Sequence, residues 1–191
     1  MEDITYFLKL ESFKDTLRYY EHHKRYHESV AEHTCLLTLL AIDINKHLDL
    51  KLDIQRALEL VAIHDLCEIG LSSDYDAVSC SLDPELKVKK HKYEKEAIDN
   101  LAGTYARPYI KELYLEYEKQ ATREARFVKC LDKFESVLHV FRNGPKDKAN
   151  IAFSISNFAK TVKNFPEFSV YLEQLKAVVM QSEAMNKGKK R

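Results

Sequence analysis

Glycine and proline are scarce in this chain, and where they fall decides what the rest of it can fold into. Four of each punctuate 191 residues. Long stretches therefore run without a helix-breaking residue, and they place apolar side chains three and four apart with little two-residue alternation. The spacing predicts a first helix over Asp3–Tyr20 and a second from Glu28 to His47, with Val30, Leu37, Leu40, Ala41 and Ile44 on one broad face. Asp53 suits the cap of a third helix, whose apolar positions include Leu58, Val61, Ala62 and Ile69. Gly70–Cys80 has no strong period and reads as a loop. Asp83-Pro84-Glu85 opens a further helix toward Leu101, proline being at ease in a first helical position. Pro108 opens another, striped by Ile110, Leu113, Tyr114 and Tyr117. Arg123–Phe141 turns Phe127, Val128, Leu131 and Leu138 inward, and Asn143-Gly144-Pro145 stops it. Two more helices are expected over Asp147–Lys163 and Glu167–Met185. The expected fold is all-α, a bundle of six to eight helices in one domain over residues 1–185, with a basic tail, 186–191, that frays.

Charge and cysteine usage narrow the function classes. With 30 basic and 30 acidic residues there is no global field to pull the chain onto long nucleic acid, so an anionic ligand must be recognised locally. Cys35, Cys67, Cys80 and Cys130 form no Cys-x-x-Cys pair. Cys35, Cys67 and Cys130 fall within helical apolar patterns, where free cysteine acts as a small hydrophobe. The first residues lack a basic segment followed by an apolar core, and no apolar run is long enough to span a membrane. A reduced, cytoplasmic setting is expected.

The residues that carry chemistry stand out against this apolar background. Ile63-His64-Asp65-Leu66-Cys67-Glu68 sets three ionisable groups in a helix that otherwise faces the core. Adjacent side chains project about 100° apart on a helix, so His64 and Asp65 can ligate one ion from neighbouring directions. Glu68 returns to the face of His64 one turn later. Burying three such groups is expensive unless something pairs them, and a metal ion with its waters would satisfy all three. Taken alone, His-Asp is a common dipeptide, and a satisfied core histidine beside a surface aspartate explains most of its occurrences. Upstream, Glu28-Ser29-Val30-Ala31-Glu32-His33 opens a helix with a Ser-x-x-Glu capping box and puts His33 one turn in. Downstream, Asp132 follows Leu131 in an inward-facing helix; a solvent-facing residue at the stripe's edge, flanked by Lys129 and Lys133, is the competing reading. His23-x-x-x-His27 also has metal spacing, but it lies in a basic connector with His22, Lys24 and Arg25 that reads as an exposed polar loop. Lys87–Glu96 reads most simply as a solvated helix face, alternatively as the border of a site.

His33, His64-Asp65 and Asp132, spread over three helices, resemble the signature of the HD-domain superfamily of metal-dependent phosphohydrolases, and most closely its small 5′-deoxynucleotidase branch. The resemblance covers Phe7 to Phe141. It implies that His33, His64, Asp65 and Asp132 hold one divalent transition metal ion, with Mn²⁺, Co²⁺, Fe²⁺ and Zn²⁺ all compatible with two imidazoles and two carboxylates. It further implies that Glu68 orients or deprotonates water at the ion. Asp74 matches the aspartate of the family's Gly-Asp segment, although Ser73 replaces the glycine and Asp76 is a rival. Arg18, on the first helix, is implied to contact substrate phosphate, and Tyr19 to take the place of an aromatic, often tryptophan, beside the sugar and base.

The function these parts imply is removal of phosphate from deoxyribonucleoside 5′-monophosphates. The enzymatic alternative is release of triphosphate from deoxynucleoside triphosphates. A non-enzymatic helical interaction module with a degenerate site is the alternative of another class, against which all four ligand positions and Glu68 are present. Homodimerisation is expected by the same resemblance, with Tyr105, Tyr109 and Phe165 as candidate surface aromatics.

Overall fold

The structure, a computed structural model, describes residues 2–18, 27–71, 75, 77–143 and 148–188. Among them nine α-helices carry nearly all the regular structure: α1 (Glu2–Glu11), α2 (Val30–His47), α3 (Ile54–Ile63), α4 (Ala77–Leu82), α5 (Pro84–Thr104), α6 (Pro108–Lys119), α7 (Arg123–Asn143), α8 (Lys148–Val162) and α9 (Ser169–Gly188). The all-α expectation holds. The exception is a two-residue antiparallel ladder, β1 (Leu17–Arg18) against β2 (Glu28–Ser29), which sets Leu17 opposite Ser29 and Arg18 opposite Glu28.

Three helix starts follow from the residue that caps them. Ser29 accepts the Glu32 backbone N–H through its hydroxyl while the Glu32 carboxylate accepts the Ser29 backbone N–H at 2.7 Å, closing the expected capping box on α2. Asp53 caps α3 by accepting from the Arg56 N–H, and Asp83 caps α5 ahead of Pro84.

Three boundaries differ most from the sequence reading. The first helix ends at Glu11, not Tyr20. Ser12–Lys14 tighten into a 3₁₀ turn, and the Thr16 hydroxyl then donates to the carbonyls of Glu68 and Leu71 at 3.1 and 2.9 Å. Arg18 consequently sits on β1 rather than on a helix. The third helix ends at Ile63. His64 caps it, Asp65 leaves helical geometry at φ −108°, ψ 11°, and Leu66–Glu68 form a 3₁₀ turn. The His-Asp pair therefore lies in a turn, not within a helix. Gly70 follows at φ +94°, a conformation open to glycine and strained for other residues. Finally, the segment read as loop up to Cys80 is helical from Ala77.

Two apolar clusters form the interior. The larger joins α2, α3, α7, α8 and α9 through Leu37, Leu60, Phe127, Leu131, Phe158 and Leu172; the smaller joins Tyr6, Leu66, Ile69, Ile98, Ile110 and Tyr114. Ile63 packs against both, so the turn that follows it lies at their junction. Phe165 is not a surface aromatic: it is 2% exposed, with its ring 5.5 Å from Phe127 and 5.8 Å from Phe168. Tyr109 is exposed and Tyr105 half-buried. Cys35 is exposed on α2, against the expectation of a buried position, whereas Cys67 and Cys130 are buried; all four cysteines are free thiols. Ala62 is likewise exposed, and Leu138 is only half-buried. No described helix is long and apolar enough to cross a membrane.

Candidate metal centre

His33 and His64 are both fully enclosed, and each has one ring nitrogen already committed. His64 Nδ1 lies 2.8 Å from the Val61 carbonyl, an atom that can only accept, so Nδ1 carries the proton and donates it. His33 Nδ1 lies 2.7 Å from a Glu135 carboxylate oxygen and donates in the same way. Both rings thus turn Nε2 toward one point, with the two Nε2 atoms 3.4 Å apart. Asp65 Oδ2 stands 3.1 Å from His64 Nε2 and 3.8 Å from His33 Nε2, and Asp132 Oδ1 stands 3.5 Å from His33 Nε2.

Four electron-rich atoms converging in this way match the donor set of a divalent ion. Donors at about 2.1 Å from a tetrahedral ion are about 3.4 Å from one another, which is the spread of these separations. His33, His64 and Asp132 form one of two groups among the described residues whose donor atoms lie within 4.8 Å of each other. Asp65 joins the first by the distances above. Ending α3 at Ile63 is what brings it there, because the turn folds the Asp65 carboxylate back beside the imidazole that precedes it.

The charges around this point are strongly coupled. Burial alone would raise the Asp65 and Asp132 pKa values, but the neighbouring histidines hold Asp65 below the usual carboxylate range, and Lys133 and His33 hold Asp132 well below it. Burial likewise opposes the charge on Glu135, and the His33 hydrogen bond outweighs it, so that carboxyl is also lowered. For His33, burial and the Arg18 guanidinium favour the neutral ring; hydrogen bonds with Asp132 and Glu135 outweigh them, and the net shift is upward. The second oxygen of Asp132 is held from outside the donor set, by Lys133 Nζ at 2.9 Å and the Tyr117 hydroxyl at 3.4 Å.

The remaining sequence candidates divide. Arg18 is buried beside the centre, 3.5 Å from both Glu28 and Glu135 and 4.0 Å from Asp132 Oδ1. Glu68 is buried in the turn after Asp65, and its carboxylate lies 3.8 Å from Lys90 Nζ on α5, so the charged stretch of that helix borders the turn. Tyr19, Asp74 and its rival Asp76 lie outside the described residues, as do His22, His23, Lys24 and Arg25.

Sequence reasoning missed the layer behind the ligands. Glu28, Glu135 and His139 are the second close group of buried donors. His139 Nδ1 lies 3.3 Å from Glu28, and the Arg18 guanidinium lies against both carboxylates, so its positive charge already occupies the place of a second cation. A signal existed: Asp132, Glu135 and His139 recur at three- and four-residue steps, a polar stripe within the inward face of α7.

Comparison with known proteins agrees with this architecture. The HD-domain family model matches residues 10–170. A 5′-deoxynucleotidase of Schizosaccharomyces pombe is 31% identical over 141 residues, covering 66% of this chain and 66% of the relative. A 5′-deoxynucleotidase of Homo sapiens is 33% identical over 116 residues, covering 58% of this chain and 52% of the relative. The chain thus spans between half and two thirds of these curated relatives. Among solved structures, a "Predicted metal-dependent phosphohydrolase" of Magnetospirillum magnetotacticum superposes with TM-score 0.70 at 21% identity, over 94% of this chain and 92% of that one, a likeness of fold.

Proposed function

This chain belongs to the HD-domain family, and on that premise we propose that it is a metal-dependent 5′-nucleotidase releasing phosphate from deoxyribonucleoside 5′-monophosphates. The observation that carries the reading is the convergence of His33 Nε2, His64 Nε2, Asp65 and Asp132 on one point, with both imidazole tautomers set by partners behind them. Curated relatives named 5′-deoxynucleotidase support the substrate class.

A divalent ion at that point, of which Mn²⁺, Co²⁺, Fe²⁺ and Zn²⁺ suit the donors, supplies Lewis-acid polarisation of a phosphoryl oxygen and lowers the pKa of water. His33, His64, Asp65 and Asp132 hold the ion. Glu68, three residues beyond Asp65, takes the proton from the attacking water. Asp74 returns a proton to the sugar oxygen as the phosphorus–oxygen bond breaks, giving nucleoside and inorganic phosphate. Arg18 contacts the substrate phosphate, and Tyr19 takes the aromatic's place beside the sugar and base. We assign the protein to the cytoplasm and to a homodimer; sedimentation velocity at micromolar concentration checks the latter, and a monomer would exclude it.

The test is phosphate release from nucleoside mono- and triphosphates with each of the four ions and with Mg²⁺, beside Asp65→Ala. The expected result is metal-dependent phosphate from deoxynucleoside monophosphates, lost in the variant by a factor of about 10³ or more. Triphosphate as the product would move the protein to the triphosphohydrolase reading. No product from any substrate, together with no bound metal, would leave a helical interaction module.

A further inference from the structure

Lys133 follows Asp132 on α7, and its ammonium bends back to that residue's carboxylate. Nζ lies 2.9 Å from Asp132 Oδ2, whereas the oxygen 3.5 Å from His33 Nε2 is Oδ1. Lys133 therefore leaves the ligating oxygen alone and stands at the rim of the donor cluster. Its side chain is 35% exposed, against 8% for Arg18 on the other flank of Asp132.

The charge balance gives this cation a task. A divalent ion is neutralised by Asp65 and Asp132. Behind them, the Arg18 guanidinium is already engaged by two buried carboxylates, Glu28 and Glu135. A phosphate ester is itself a dianion and is repelled by carboxylates around its site. Lys133 offsets that repulsion from the solvent-accessible side. An ammonium carries three donors on a flexible stem, so it can keep Asp132 Oδ2 and still give a hydrogen bond to an incoming oxygen.

We propose that Lys133 is a phosphate-binding residue of this site, donating to a non-bridging oxygen of the phosphate held at the centre. The inference rests on the reading of the centre as a metal site that receives phosphate esters, and it adds the group that makes such an anion welcome.

The experiment titrates inorganic phosphate into Co²⁺-loaded protein and follows the cobalt visible spectrum, for wild type, Lys133→Met, Lys133→Arg and Lys111→Met. Lys111 on α6 pairs with Asp99 on α5, both exposed, and serves as the charge-matched control. The phosphate Kd is expected to rise roughly ten- to hundredfold in Lys133→Met, the range for losing a charge-assisted hydrogen bond. Lys133→Arg recovers most of that loss, Lys111→Met leaves the Kd unchanged, and Co²⁺ affinity and melting temperature stay at wild-type values in all three. Unchanged phosphate affinity in Lys133→Met overturns the proposal, as does wild-type protein that binds no phosphate. Parallel loss of Co²⁺ affinity also overturns it, since Lys133 would then act by positioning Asp132. Phosphate that binds through Lys133 while nucleoside monophosphates go unhydrolysed sinks the nucleotidase reading and leaves this one standing.

Discussion

At the scale of single residues, the two histidines differ in what holds them. His64 is fixed by a backbone carbonyl that no side-chain substitution removes, while His33 depends on one carboxylate, Glu135. A carboxylate behind a ligating imidazole raises its basicity and fixes its ring. Glu135→Gln keeps the shape and removes the charge, and is expected to weaken metal affinity about 10- to 100-fold, measured by competition with a chromophoric chelator. Equal affinity in the variant would assign His33's orientation to packing alone. The raised pKa of His33 gives a second prediction with a definite sign. Ligation needs the neutral ring, so apparent metal affinity climbs with pH until the raised pKa is passed and then levels off, with up to one proton released per ion bound below it. In the metal-free protein the same shift acts the other way. Its contribution to stability is complete below the unfolded-state pKa and is lost as pH rises through the folded-state pKa. Calorimetric titration in buffers of different ionisation enthalpy counts the proton, and a pH-independent affinity would contradict the assignment.

At the scale of elements, local chemistry explains what the sequence made legible and what it did not. The start of α2 was readable because Ser29 and Glu32 satisfy each other within four residues, and the starts of α3 and α5 because Asp53 and Asp83 do their capping locally. Ser29→Ala is expected to cost about 1 kcal/mol, lowering the melting temperature by about 2–4 °C for a chain of this size, while metal affinity changes little. A melting temperature equal to wild type would mean the box contributes nothing. The ends of the first and third helices were not readable, because distant partners set them. Thr16 leaves the helical path to bond carbonyls more than fifty residues away, one of them that of Glu68 in the turn that follows the third helix. The ligand quartet itself was legible from motif and resemblance. The Arg18–Glu28–Glu135–His139 layer was not, since β1 must pair with β2 before Arg18 faces Glu28 at all.

At the scale of the whole molecule, the centre draws on α2, the turn after α3, and α7, and it sits where the two apolar clusters meet at Ile63. His33 lies 31 residues from the imidazole it faces and 102 from the carboxylate that orients it. No short segment can preassemble this arrangement; it exists only once the bundle has closed. An ion that binds the native chain and not the unfolded one therefore acts after the folding barrier. At a free concentration a hundredfold above Kd it should add about 2.7 kcal/mol, nearly all of it in the unfolding rate, which falls about a hundredfold while refolding is unaltered. Stopped-flow denaturant jumps with metal and with chelator separate the two limbs, and a refolding rate that moves with the ion would place the centre in the folding nucleus instead. The lifetime of the native protein, and so its resistance to proteolysis, then becomes a function of metal supply: a starved cell would clear this chain faster without altering how quickly it is made.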